Sequence, residues 1–237
     1  MNLAGSLAVV TGATQGIGRA TAFALGRAGA RVAICARTAA NVQATLGALE
    51  AAGIDAVGMP CDVSDPPGVT AFAAFVRGER GDPGVVVNNA GIGRFKPLRE
   101  LSLDDWDATM AVNVRSLYLV TRAFLEGLER AGGTIVNIAS LAGKNGVEGG
   151  TAYSASKHAV LGFSKSLMLE VRKHGVRVVA ICPGSVSTPF MDKQHRTHRD
   201  RDRALTADDV AHAVLAAVTA SDRAMISEID IRPTNPS

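Results

Sequence analysis

Short apolar runs alternate with longer amphipathic segments along all 237 residues of the chain. The runs fall at 7–10, 32–35, 56–59, 85–87, 135–138, 176–181 and 225–231. Most are rich in Val and Ile and too short for helices, so they read as buried strands. The intervening segments predict helices over about 17–28, 40–51, 66–77, 104–130, 152–173 and 207–219. Strictly alternating strand and helix is the signature of an α/β protein whose parallel sheet carries helices on both faces. Right-handed crossovers make that sheet doubly wound, here with seven strands. One domain over residues 1–237 is expected, with a substrate-side loop at 184–206. Thr206 ends that loop as a helix cap, followed by Asp208 and Asp209 in the first turn, where the helix dipole favours acids.

Composition narrows the class. Hydrophobic residues make up 47% and charged residues 20%, which excludes general disorder and supports a large core. Cys35, Cys61 and Cys182 are odd in number and lack a C-x-x-C pair, which argues against disulfides and against a zinc site. No metal is expected. No apolar window approaches the ~18 residues of a membrane span, and no leader pattern opens the sequence. These features predict a soluble, cytoplasmic protein without a membrane partner.

Charge is uneven. The formal net charge is +3, and residues 193–203 hold all of it: Lys193, Arg196, Arg199, Arg201 and Arg203 against Asp200 and Asp202. The run reads either as a solvated loop or as an entrance for an anionic or acyl-thioester substrate. Nucleic acid is not expected, because no aromatic residue interrupts the run to stack on bases.

Three patterns carry chemistry. Thr11-Gly12-Ala13-Thr14-Gln15-Gly16-Ile17-Gly18 joins the first strand to a helix. Glycines permit a tight turn against a pyrophosphate, and the helix N-terminus offers free N–H groups to that anion. At the end of the second strand stand Ala36 and Arg37, where an acid would select the free ribose of NAD. Arg instead grips a 2′-phosphate through paired hydrogen bonds, so NADP(H) is preferred, with NAD(H) as the alternative. Tyr153 and Lys157 lie four apart, on one face of a helix. A neighbouring cation lowers a phenol's pKa from its usual ~10 and fits it for proton exchange with an alcohol or carbonyl. Ser140 closes the run 135–138, from where it can donate to the reacting oxygen or simply cap a turn. Asn89, Ala90 and Gly91 end the strand 85–87 as a turn beside the cofactor, and Pro183 and Gly184 do the same after 176–181.

Together these residues resemble the short-chain dehydrogenase/reductase family in its short single-domain branch. T-G-x-x-x-G-x-G, N-N-A-G, S-x(12)-Y-x-x-x-K and P-G-x-x-x-T appear in order over the whole chain. The resemblance implies a Rossmann fold and assigns Tyr153 as catalytic acid/base, with Lys157 lowering its pKa and holding the nicotinamide ribose. It implies that Ser140 orients the substrate oxygen and that Asn113 completes a proton relay through water to Lys157. Without it, Asn113 reads as a solvent-facing mid-helix residue. It also implies that Gly12, Gly16, Ile17 and Gly18 line the pyrophosphate, that Asp62 contacts the adenine and Asn89 the adenosine ribose side, that Val186 and Thr188 face the carboxamide, and that Thr14, Gln15 and Val63 are among the cofactor contacts.

The sequence thus predicts an NADP(H)-dependent oxidoreductase acting on a small-molecule carbonyl or secondary alcohol, assembled as a homodimer or homotetramer through its two long helices. The alternatives are an NAD-dependent secondary-alcohol dehydrogenase and a non-catalytic nucleotide-binding redox sensor.

Overall fold

In the first strand, β1 (Leu7–Thr11), every side chain is buried, because successive residues point into different layers. Ala8 and Val10 join one core cluster, and Leu7 and Val9 join another across the sheet. The computed structural model describes residues 2–190 and 203–234. The other strands are β2 (Arg31–Ala36), β3 (Ala56–Pro60), β4 (Val85–Asn88), β5 (Thr134–Ile138), β6 (Arg177–Pro183) and β7 (Glu228–Ile231). They form one seven-stranded sheet in the order β3-β2-β1-β4-β5-β6-β7, and every pairing is parallel. The last run is shorter than expected, since only its final four residues pair.

Helices cover both faces. On one side, α1 (Gly16–Arg27) and α7 (Ala207–Val218) press Ala22, Leu25, Val210 and Val214 onto Val10, Val87 and Val179. On the other, α3 (Pro66–Arg80) contributes Phe72, α5 (Ser116–Ala131) contributes Phe124, and α6 (Thr151–Val171) contributes Leu167. Phe72 and Phe124 meet edge to face at 6.2 Å. The segment α2 (Ala39–Ala51) flanks β2 and β3. Start signals act as predicted at α7, where Thr206 and Asp209 form a reciprocal capping box.

The helix expected over 104–130 is three segments. Leu103–Met110 is α4, Ala111–Arg115 is a π-turn, and Ser116 begins α5. The wider turn rotates the following residues relative to a plain α-helix, and it falls on Asn113.

Strand order reverses between β1 and β4, which places the crevice of the sheet beyond their carboxyl ends. Val186 pairs with Leu205, closing the base of the loop after β6. Of the basic run expected at the substrate entrance, Lys193, Arg196, Arg199 and Arg201 lie outside the described residues. Among the described residues no helix is long and apolar enough to cross a membrane.

Candidate active site

A cleft of about 610 Å³ opens above the strand ends at the switch point. Its first wall is the glycine turn after β1. Gly12 sits at φ +64°, and a Cβ there would lie 2.9 Å from Ala90 Cα, so neither the conformation nor the space admits a side chain. Asn89 donates its side-chain amide to the carbonyls of Thr11 and Gly12, at 2.9 and 3.1 Å. Thr11 Oγ1 accepts from the backbone N–H of Asn89 and of Ala90, both at 3.1 Å. The turn is therefore tied to the end of β4. Gln15, at the N-cap of α1, makes no capping hydrogen bond with its side chain, which leaves the first N–H groups of the helix for a ligand.

Gly12, Thr14, Gln15, Gly16 and Ile17 line the cleft, but Gly18 does not. Gly18 faces the turn itself, where a Cβ would come within 2.3 Å of Asn89 Nδ2 and 2.4 Å of the Gly12 carbonyl oxygen. Gly18 thus packs the helix closely onto the turn.

Arg37, Asp62 and Val63 border one end of the cleft, joined by Thr38 and Asn41. No acid stands at the end of β2. Partial burial works against the Asp62 carboxylate, yet Ser64, which donates through its N–H and hydroxyl, and the charges of Arg37 and Arg115 hold its pKa below the usual value. The thiols of Cys35 and Cys61, distant in sequence, meet across β2 and β3 and remain free.

The other end holds Ser140, Tyr153 and Lys157, all lining the cleft. Tyr153 is in the first turn of α6 and Lys157 one turn later. Both are buried, at 8% and 5% exposure. Burial pushes the Tyr153 phenol up to about 12, only partly opposed by a hydrogen bond with Ser140. Burial pushes Lys157 down to about 8. Neither shift has the other group among its causes. The Lys157 amine donates to the Ile138 carbonyl at 2.7 Å and stands 5.8 Å from the centre of the Tyr153 ring, and desolvation dominates both groups. Ser140 takes the turn-capping role: it accepts from Ala142 N–H at 3.1 Å at the head of the turn Leu141–Gly143, and its hydroxyl reaches the Pro183 carbonyl at 3.5 Å.

Asn113 is not solvent-facing. It is 4% exposed, accepts from Ile92 N–H at 2.8 Å, and donates to the Ile92 carbonyl and to Ser156 Oγ, both at 2.9 Å. It does not line the cleft but fixes the backbone of Ile92, which does. Asn89, Ala90, Gly91, Pro183, Gly184, Val186 and Thr188 all line it.

Sequence reasoning missed Phe95 and Phe190, which stand against Tyr153 with ring centres 5.2 and 5.6 Å away. Nothing in the periodicity marks them; the fact that they are two of only ten aromatic residues was the available hint. It also missed a cluster under β7. Cys182, Glu228 and Asp230 are, among the described residues, the one group placed to hold a metal ion, but the Lys144 ammonium already pairs with both carboxylates.

A family profile described as short chain dehydrogenase matches residues 6–199. The chain belongs to that family. Within the short-chain dehydrogenases it is 44% identical to a putative ketoacyl reductase of Streptomyces coelicolor over 78% of this chain and 72% of that protein. It is 39% identical to the 3-oxoacyl-[acyl-carrier-protein] reductase of Pseudomonas aeruginosa over 84% and 81%. A metagenomic short-chain oxidoreductase solved in complex with NADP superposes with a TM-score of 0.87, 41% identity, and coverage of 99% of this chain and 100% of that one. An actinorhodin polyketide ketoreductase solved with NADPH superposes with a TM-score of 0.91 at 35% identity, covering 97% and 96%. Short-chain dehydrogenases of this kind are oxidoreductases acting on CH–OH and C=O groups, and the present chain is one of them.

Proposed function

We propose that the protein is an NADP(H)-dependent oxidoreductase that moves hydride between nicotinamide and a small-molecule carbonyl or secondary alcohol, with Tyr153 as the acid/base. The observation that carries this reading is the meeting of Ser140, Tyr153 and Lys157 at one end of a cleft whose other end is bordered by Arg37.

The residues present fit a dinucleotide. The side-chain-free cradle at Gly12, the uncapped start of α1 and the absence of an acid at the end of β2 suit a pyrophosphate and a 2′-phosphate. Gly12, Gly16 and Ile17 would hold the pyrophosphate, and Arg37 the 2′-phosphate. NADP and NADPH are what the solved relatives carry. When bound, that cofactor supplies or accepts the hydride.

The chain's own part is proton handling and orientation. At neutral pH the buried Tyr153 phenol is protonated, the form that donates to a carbonyl oxygen. Ser140 donates to the same oxygen and fixes its position. Lys157, with its pKa near 8, returns a proton to the phenol through water, and Asn113 holds the Ile92 backbone beside that path. Homo-oligomer formation through α4–α5 and α6 is part of the reading, supported by the exposed Tyr118 and Leu169 on those helices.

Replacing Tyr153 with Phe tests the assignment. Turnover of a carbonyl panel with NADPH falls by at least about a hundredfold while NADPH binding persists. Near-normal rates in Tyr153→Phe refute the mechanism.

A further inference from the structure

Three aromatic rings meet at the Tyr153 end of the cleft. Phe95 and Phe190 are perpendicular, with an interplanar angle of 87° and centres 6.1 Å apart, and both lean on Tyr153. They therefore form a corner, one ring offering an edge where the other offers a face. Gly93 makes the corner possible, since a Cβ there would be 2.4 Å from Phe95 and 2.7 Å from Phe190. The surrounding wall is apolar, built of Ile92, Leu141 and Val147. Val147 stays 40% exposed. Among the described residues, each charged side chain of the cleft has a partner or lies at its other end. Arg37 and Asp62 border the end away from Tyr153, Lys157 bonds the Ile138 carbonyl, and Arg232 pairs with Asp230 at 3.6 Å.

We propose that this arm of the cleft selects neutral ketones bearing a flat aromatic group beside the carbonyl, packed against Phe95 and Phe190. The proposal rests on the oxidoreductase reading of Tyr153 and adds the substrate class to it. A ring gains quadrupole-matched edge and face contacts from such a corner that a saturated ring of equal size does not. Among the described residues, a carboxylate beside the carbonyl meets no cation free of a partner at this end of the cleft, and it loses its water.

The test compares acetophenone, cyclohexyl methyl ketone and pyruvate, followed by NADPH consumption in the wild type and in Phe95→Leu, Phe190→Leu and the double variant. Leu keeps the site apolar and removes the ring. Wild-type kcat/KM favours acetophenone over the cyclohexyl ketone by about tenfold, and the ratio falls towards unity in the double variant. As a second readout, calorimetry gives the Kd of both neutral ketones for Tyr153→Phe loaded with NADP, with the same order and about the same ratio expected. Equal Kd and kcat/KM for the two neutral ketones, preference for pyruvate, or a ratio unmoved in a folded double variant overturns the inference. If no ketone is consumed, the oxidoreductase reading fails, and the two Kd values alone decide the aromatic preference. If the variants do not fold, the wild-type ratio and the same Kd pair decide it.

Discussion

Asn89 occupies the space that a side chain on Gly18 would need: a Cβ on Gly18 would begin 2.3 Å from Asn89 Nδ2. The same nitrogen holds the carbonyls of Thr11 and Gly12, so the glycine turn and the amide are one packed unit. Gly18→Ala should therefore cost about 1–3 kcal/mol of stability through overpacking. Asn89→Ala removes two hydrogen bonds and should cost about 1–3 kcal/mol. Urea unfolding of both variants and of the double will show non-additivity of about 0.5 kcal/mol or more. Strict additivity would mean that the two residues do not act together.

Arg37→Ala should weaken NADPH binding by about ten- to a hundredfold and leave NADH within about twofold, because only the 2′-phosphate loses its charge-assisted partner. Fluorescence titration of both cofactors measures this. Equal loss for the two would remove the phosphate role from Arg37.

Lys157 carries a stability signature opposite to that of an ion-paired lysine. Its folded pKa of about 8 lies below the unfolded value of 10.5. Between these values the unfolded chain binds the extra proton, so stability rises with pH, and below pH 8 the full penalty of a buried ammonium applies. Lys157→Met should raise stability at pH 7 by about 1–2 kcal/mol, after allowance for the donor lost by Ile138. The gain should disappear above the unfolded pKa. Melting curves across that pH range decide it, and a gain that persists at high pH would contradict the assignment. The same variant should lose turnover.

Lys144 is the counter-case. Hydrogen bonds from its ammonium to Asp230 and Glu228 lift its pKa well above the ordinary lysine range. Its contribution is present below the unfolded pKa and is lost only as pH rises through the raised folded value. Lys144→Met removes the tightest cation contact from both Glu228 and Asp230, leaving only Lys165 at 3.9 Å and Arg232 at 3.6 Å, and should destabilise by about 1–3 kcal/mol. Denaturant midpoints of wild type and variant at neutral pH measure this, and equal midpoints would refute it.

The sheet was legible because its signal is local. Runs of Val and Ile flanked by amphipathic segments define a parallel α/β protein without reference to distant residues. Tyr153 and Lys157 were legible for the same reason, since their spacing lies within one helix. What sequence could not show depends on contacts across the fold. Asn113 reads as surface-facing in a plain helix and is buried because the π-turn re-aims it towards Ile92 and Ser156. Lys157 lies close to Tyr153, yet burial rather than charge sets both pKa values, and burial is a property of the assembled layers. Gly18 belongs to a recognisable pattern, but only the position of Asn89 reveals which glycine packs and which lines. Phe95 and Phe190 come from separate loops, after β4 and after β6, and no periodicity joins them.

The Val186–Leu205 pairing has a consequence for how such a molecule diversifies. Ser187 N–H donates to the Leu205 carbonyl at 2.7 Å, and Leu205 N–H donates to the Ser185 carbonyl at 2.9 Å, so the chain leaves and rejoins the scaffold at one hydrogen-bonded neck. Doubling the length of a loop costs only about 0.6 kcal/mol in closure entropy. Phe190 lies beyond the neck, whereas Ser140, Tyr153 and Lys157 lie on the scaffold. A new insert between Ser187 and Leu205 could thus change which molecule is admitted while the proton chemistry is inherited intact.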